Sequence, residues 1–456
     1  MSDLVVRGGT LVQPDWSGPA DLHLADGVVR AVVAPGTPLP AGAEVLDATG
    51  RLVMPGGVDP HCHVGFTSGG YTSLDGYAEC TTAAVLGGTT TIVDFAIPQP
   101  GQRPVDVAAA QRAKVPQGLC DAAVHASVVE WDDTTADQLR SLVADGLATV
   151  KMFTTYRGES MASADTILKT MQVLKESGGM VVIHCEANPI IEEDQRRAAE
   201  RGEIDAAHMA GTRSELAETA AVAEVLAIAE TLDAPVYFVH QSTPAAVELV
   251  AAARRRGLRA YTESVAHHLV LDDSLYDGPN PERWVCCPPL RDRATVEALG
   301  GYLANGEITT VASDHCCYDT AQKVSHRHDV RHMPNGLPGV QTRLPVIFST
   351  YVATGRITPS RFVELTAANP ARTNGIYPRK GTLAPGSDAD LVLWDPSARW
   401  TITAGDLAQA TDYTPYEGIE VTGRPETVVV GGRVIAGGGR ILDATPRGRF
   451  LPASLA

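Results

Sequence analysis

The sequence predicts an α/β protein: a (β/α)8 barrel of the TIM type, with a small β-sandwich domain formed by both chain ends. Three observations lead there. Short apolar runs alternate with alanine-rich helical segments through the middle of the chain. The two ends share a different, Val- and Gly-rich texture. Residues able to hold a metal recur where the central apolar runs finish.

The central runs are LVMPGGVD, TTIVDFA, AAVHASVV, TVKMF, MVVIHCE, VYFVH, LRAYTES and ITTVASD. Between them lie stretches such as DTILKTMQVLKESG and SELAETAAVAEVLAIAETL, whose charges leave one apolar face. Strand–helix–strand at this spacing gives a parallel sheet, and about eight such units favour a closed barrel over an open one. A dinucleotide fold is excluded in detail: GGTT at 87–90 precedes a strand, the reverse of that fingerprint.

The ends carry strand-like pieces (LVVRGG, DLHLADG and VVRAVVA first, then DADLVLWD and PETVVVGGRVIAGGG) with frequent turn signals. They suggest short antiparallel strands with hairpin turns. Neither end can bury a large core alone, so residues 1–52 and 380–440 are expected to form one sandwich. Residues 53–379 then form the barrel. Residues 441–456 are a tail that packs on a partner subunit or on the barrel. The polar, Gly/Pro-punctuated segment 319–345 follows the last barrel strand and is expected at the rim of the site.

The chain has 456 residues, 37 basic and 54 acidic, for a formal charge of −17. That balance disfavours nucleic acid and anionic membrane as partners. No secretory signal opens the sequence and no run is long enough for a membrane helix, so a cytoplasmic protein is expected. The eight cysteines do not follow a zinc-finger spacing and read as buried thiols.

Six residues can build one two-metal site: His61 and His63 in VDPHCH, Lys151 in TVKMF, His184 in VVIHCE, His240 in VYFVHQS and Asp314 in VASDH. His61 and His63 are two apart, so on a strand both point to one side, while Cys62 faces away. Asp59 reads as a turn residue or a support. A single strand-end histidine is more often a hydrogen-bonded core residue. Four of them with an aspartate at successive strand ends are better explained by metal, because a buried carboxylate needs a partner. Lys151 would place an ammonium beside cations. Desolvation and the ions favour its neutral amine, which can add carbon dioxide and become an anionic carbamate. A salt bridge to a carboxylate, or a lysine reaching the surface, are the other readings of that position.

With these residues in hand, the chain resembles the cyclic amidohydrolases of the hydantoinase/dihydropyrimidinase group, within the metal-dependent amidohydrolase superfamily. The resemblance spans nearly the whole chain: PGGVDPHCH, Lys151, HCE, VHQS, CPPLR (287–291), SDHC, PNGLPGV and NPARTNGIYPRKGTLAPGSDADLVLWDP. It implies that His61, His63 and Asp314 hold one divalent ion and that His184 and His240 hold another. Carboxylated Lys151 and a hydroxide bridge the two, and zinc is the usual metal of such proteins. The implied reaction is hydrolysis of a ring C–N bond in hydantoins or dihydropyrimidines, releasing N-carbamoyl amino acids. In it Asp314 shuttles the proton and Tyr156 donates to the oxyanion. Cys287 and Asn335 place the ring through backbone groups, and a homotetramer or homodimer is the usual assembly.

The chain departs from the group at the pocket walls. VGFTSGGYTSLDGY follows HCH where a methionine-containing run is usual, bringing Phe66 and Tyr71 as candidate wall residues. Cys287 replaces the usual serine, HAENG becomes HCEAN, TCPQYL becomes SVAHHL at 264–269, and SDHCPF becomes SDHCCY. An allantoinase or another cyclic imide or ureide hydrolase on the same site is the alternative. A non-catalytic scaffold relative is disfavoured because all six ligands are present.

Overall fold

The computed structural model describes residues 3–38 and 40–455. Met1, Ser2, Leu39 and Ala456, the last being the end of the expected tail, lie outside the described residues.

Eight parallel strands form the central sheet: β1 (Gly57–Cys62), β2 (Thr89–Phe95), β3 (Asp121–Ser127), β4 (Thr149–Phe153), β5 (Met180–His184), β6 (Val236–Phe238), β7 (Ala260–Val265) and β8 (Thr310–Ala312). Each pairs with its sequence neighbours, and the sheet closes beyond the named strands, where His63 N donates to His315 O at 2.8 Å. Strand residues are buried on both faces, as expected where helices cover the outside and side chains fill the inside. At the N-terminal end of the strands Arg343 is fully buried. It donates to the carbonyls of Val58 and Val311, both at 2.9 Å, so one guanidinium ties β1 to β8.

The chain ends build two packed sheets. One has four strands from residues 4–47. The other has seven and interleaves Leu52–Pro55 and Thr10–Val12 with Leu391–Thr401 and Glu420–Val430. The sheets are mixed, which corrects the expectation of antiparallel hairpins alone. Leu4–Arg7 pairs in parallel with Glu44–Asp47, and Thr10–Val12 in parallel with Leu52–Pro55. The intervening hairpin Asp21–Ala25/Val28–Val33 supplies the crossover length a parallel pair needs. Leu52–Pro55 belongs to this sheet, so the chain leaves the small domain at Pro55.

The C-terminal segment lies against the barrel's N-terminal end, opposite the site. Leu451 N donates to Ala122 O at 2.8 Å, and Ser454 N to Gly375 O at 2.9 Å. Arg449 meets Asp121 at 2.6 Å, and Lys380 meets the same carboxylate at 2.7 Å, so the tail closes a buried ion cluster. Among the described residues no helix is long and apolar enough to cross a membrane.

Candidate metal centre and substrate pocket

The six candidate ligands meet at the C-terminal mouth of the barrel, all lining one cavity of about 860 Å³. His61 lies in β1 and His63 just past it, and their Nε2 atoms converge to 3.3 Å. Asp314 Oδ1 stands 3.1 Å from His61 Nε2 and 3.3 Å from His63 Nε2. His184 ends β5, and its ring centroid is 4.6 Å from that of His240. His240 and Asp314 sit two residues beyond β6 and β8.

Lys151 is the middle residue of β4 rather than its last, which corrects the expectation that it ends the strand. It is 1% exposed, between the Phe95 and Phe153 rings at 4.9 Å each. Among the described residues no carboxylate comes within ion-pair distance of its Nζ. Burial pushes its pKa down to about 8, so a neutral amine is accessible near neutral pH. The salt-bridge and surface readings of Lys151 are both set aside by this placement.

Strain marks the same residues. Tyr156, His240 and Asp314 have φ of 69°, 35° and 49°, in the left-handed region that non-glycine residues rarely adopt. Such backbone costs about 1–3 kcal/mol per residue and persists where surroundings over-determine it. Here it turns each side chain back over the barrel mouth directly after a strand or its extension.

The donor set fits cations. Burial pushes the His61, His184 and His240 imidazoles down, so their lone pairs are free of protons. With its Nδ1 proton donated to Glu263, His61 presents a bare Nε2 3.1 Å from Asp314 Oδ1, and this pair would repel without a positive charge between them. His63 Nδ1 and His240 Nδ1 are buried and without a hydrogen-bond partner among the described residues.

Buried acids fix the rings from behind. Glu263 in β7 accepts from His61 Nδ1 at 2.8 Å, from the His240 amide at 3.1 Å and from Tyr237 Oη at 2.7 Å. Burial pushes this carboxyl up to about 7, and the Tyr237 hydroxyl and His240 amide oppose the rise. Glu186 holds His184 Nε2 at 2.7 Å and is gripped by Arg213, whose Nε donates at 3.0 Å. Burial works against the Glu186 charge, but Arg213 and His184 keep its pKa well below the usual carboxylate value. Of these supports, Glu186 was visible in HCE, whereas Glu263 and Arg213 are what sequence reading missed. Glu263 lies in the run LRAYTES, where a charge inside an apolar strand was the available signal. Arg213 lies in an unremarkable helix approach and carried none.

The remaining candidates line the cavity. Tyr156 stands beside the candidate ligands, its ring 5.3 Å from that of His184, with the Arg213 guanidinium 5.3 Å from its centroid. It lines the same cavity as Cys287. Phe66 stacks near His63 at 4.9 Å. Tyr71 sits on a hairpin (Thr67–Ser68 with Tyr71–Thr72), and its hydroxyl bonds Ser325 and His326, each at 2.6 Å, linking two rim segments. Asn335 Oδ1 is buried without a partner among the described residues. Lys323, also unnoticed in sequence, is fully buried and donates to Val285 O at 2.7 Å and Pro334 O at 3.0 Å. It thereby ties together the two segments that carry Cys287 and Asn335. Gly336 is required beside it: its φ is +145°, and a Cβ there would lie 2.7 Å from Cys316 O.

A barrel with candidate metal ligands at its strand ends, beside a sandwich built from both chain ends, is the architecture of a class of metal-dependent hydrolases. The chain belongs to the amidohydrolase family, whose model matches residues 52–435. It is 36% identical to a dihydropyrimidinase of Rattus norvegicus over 98% of this chain and 88% of that protein. It is also 36% identical to a D-hydantoinase of Ralstonia pickettii over 98% of both. Among solved structures, a dihydropyrimidinase from Brevibacillus agri NCHU1002 superposes with a TM-score of 0.96 at 33% identity, covering 99% of each chain.

Proposed function

We propose that this enzyme hydrolyses the cyclic amide bond of hydantoins or dihydropyrimidines and releases N-carbamoyl amino acids. The observation that carries the proposal is the convergence of His61, His63, Lys151, His184, His240 and Asp314 at the floor of one open cavity. His61, His63 and Asp314 would hold one divalent ion and His184 and His240 the other, with Lys151, carboxylated on Nζ, as a shared anionic ligand. Its Nζ lone pair bonds the carbon of carbon dioxide and a proton leaves, turning a charge-opposed amine into a two-oxygen anion. Nitrogen and oxygen donors suit zinc. Bound ions supply Lewis acidity to the ring carbonyl and lower the pKa of water.

The chain's own groups do the rest. Asp314 takes the proton of the attacking water and passes it to the leaving ring nitrogen. Tyr156 Oη donates to the developing oxyanion, a contribution of about 3 kcal/mol. Backbone groups at Cys287 and Asn335 hold the ring. Phe66 and Tyr71 form the wall for its exocyclic group. The eight cysteines are free and buried, which fits a reducing compartment; we place the protein in the cytoplasm, as a homotetramer or homodimer.

The test is a panel of rings given to metal-reconstituted protein: dihydrouracil, hydantoin, 5-aryl hydantoins, allantoin and succinimide. Ring opening of the first three classes is expected. Turnover of allantoin or succinimide alone would move the assignment to those substrates, and none at all would restore the scaffold reading.

A further inference from the structure

Beside the six-ligand centre lies a second set of donors that the ring-opening chemistry does not use. It comes from the departure at 264–269, where SVAHHL stands in place of TCPQYL. The change puts His267 and His268 on the short helix Ala266–Val270 directly after β7. They face Cys286, whose neighbour Cys287 lines the substrate cavity. One donor atom from each of His267, His268 and Cys286 lies within 4.8 Å of the other two. All three residues are buried, at 3%, 2% and 2% exposure.

Cys286 Sγ donates to Pro288 O at 3.3 Å, and the hydrogen bonding is incomplete at one imidazole atom. His268 Nε2 is 3.1 Å from Pro288 O, so this nitrogen carries the proton and donates it. That leaves Nδ1 as a lone pair, and Nδ1 is buried with no partner among the described residues. One ring nitrogen anchored on a backbone carbonyl, with the other left free, is the usual setting of a metal-ligating histidine. Burial lowers the pKa of both imidazoles, which keeps protons off the donors. Two imidazoles and a thiol form a borderline-soft set that suits zinc and its neighbours over magnesium or calcium.

We propose that His267, His268 and Cys286 bind a third metal ion of the zinc class, separate from the six-ligand centre and sharing no residue with it. On binding, the Cys286 S–H bond breaks, a sulfur–metal bond forms and the proton passes to solvent. The ion would pin the Cys286–Cys287 segment to the end of β7 and so stiffen one wall of the substrate cavity.

Cobalt distinguishes this site from the other, whose ligands are nitrogen and oxygen only. Protein stripped of metal and reloaded with Co2+ is expected to hold three equivalents and to show near-ultraviolet thiolate-to-cobalt charge transfer. Both the third equivalent and the band should disappear in Cys286→Ser. They should also disappear in the double variant His267→Gln/His268→Tyr, which restores the usual residues and guards against a folding failure of the first. Two equivalents without a thiolate band would overturn the proposal. So would a band that persists in the variants. A single equivalent carrying the band would instead uphold this site while contradicting the two-metal reading of the centre.

Discussion

His61 Nδ1 lies 2.8 Å from Glu263 Oε1, and both residues are fully buried. The carboxylate thereby fixes the proton on Nδ1 and turns the Nε2 lone pair toward Asp314 and the site. It also holds the amide of His240, a proposed ligand on the other half of the centre. Glu263→Gln keeps the shape and loses the charge. We expect about 10–100-fold weaker metal binding or activity, measured as metal content after dialysis against graded chelator and as ring-opening rate.

Among the described residues Arg213 is the one arginine or lysine paired with Glu186, beside the His184 imidazole, at a site where both are nearly inaccessible. Arg213→Gln leaves a buried carboxylate poorly compensated, which costs about 3–5 kcal/mol. Denaturant midpoints of the metal-free proteins should show that loss. Metal analysis should show weaker retention of the ion proposed for His184 and His240. An unchanged midpoint would mean Glu186 finds another partner.

Lys323 should act on substrate binding more than on chemistry, because it reaches the ring only through the carbonyls of Val285 and Pro334. Lys323→Met is expected to raise KM about tenfold with kcat and metal content nearly kept, since small misplacements of a positioning segment cost up to about 100-fold. Lys323→Arg should recover part of the loss. A fall in kcat with metal loss would assign Lys323 to the general fold instead.

His125 makes the barrel acid-sensitive. Burial pushes its pKa from 6.5 to about 3 against a hydrogen bond to Pro60 O. The unfolded chain therefore binds a proton between pH 6.5 and about 3 that the folded chain does not. Stability is fully present above 6.5 and falls as pH drops. From pH 6.5 to 4.5 the expected loss is about 2–3 kcal/mol, and His125→Gln should lose that much less across the same interval. Urea melts of both proteins at the two pH values measure it.

The barrel strands were legible because parallel strands buried on both faces leave continuous apolar runs. That the six candidate residues converge was legible because polar residues at the ends of such runs have few structural reasons to be there. What stayed hidden depended on contacts across the fold. The pairing of Leu52–Pro55 with both Thr10–Val12 and Leu391–Thr401 joins segments with no local signal for each other. β6 and β8 end before His240 and Asp314 because those residues turn to positive φ, which hydrophobic patterning does not encode. Arg213, Lys323 and Arg343 each look like surface cations in sequence. Only the closed structure shows the carboxylate or carbonyls that bury them.

The most direct test concerns the atom attached to Lys151. Protein loaded with zinc in ¹³C-bicarbonate should give a carbamate carbon signal that is absent in Lys151→Ala. That variant should lose metal and ring-opening activity and regain part of both with added short carboxylic acids. A wild-type protein that holds two ions and opens rings with an unmodified Lys151 amine, or a fully active Lys151→Ala, would contradict the account.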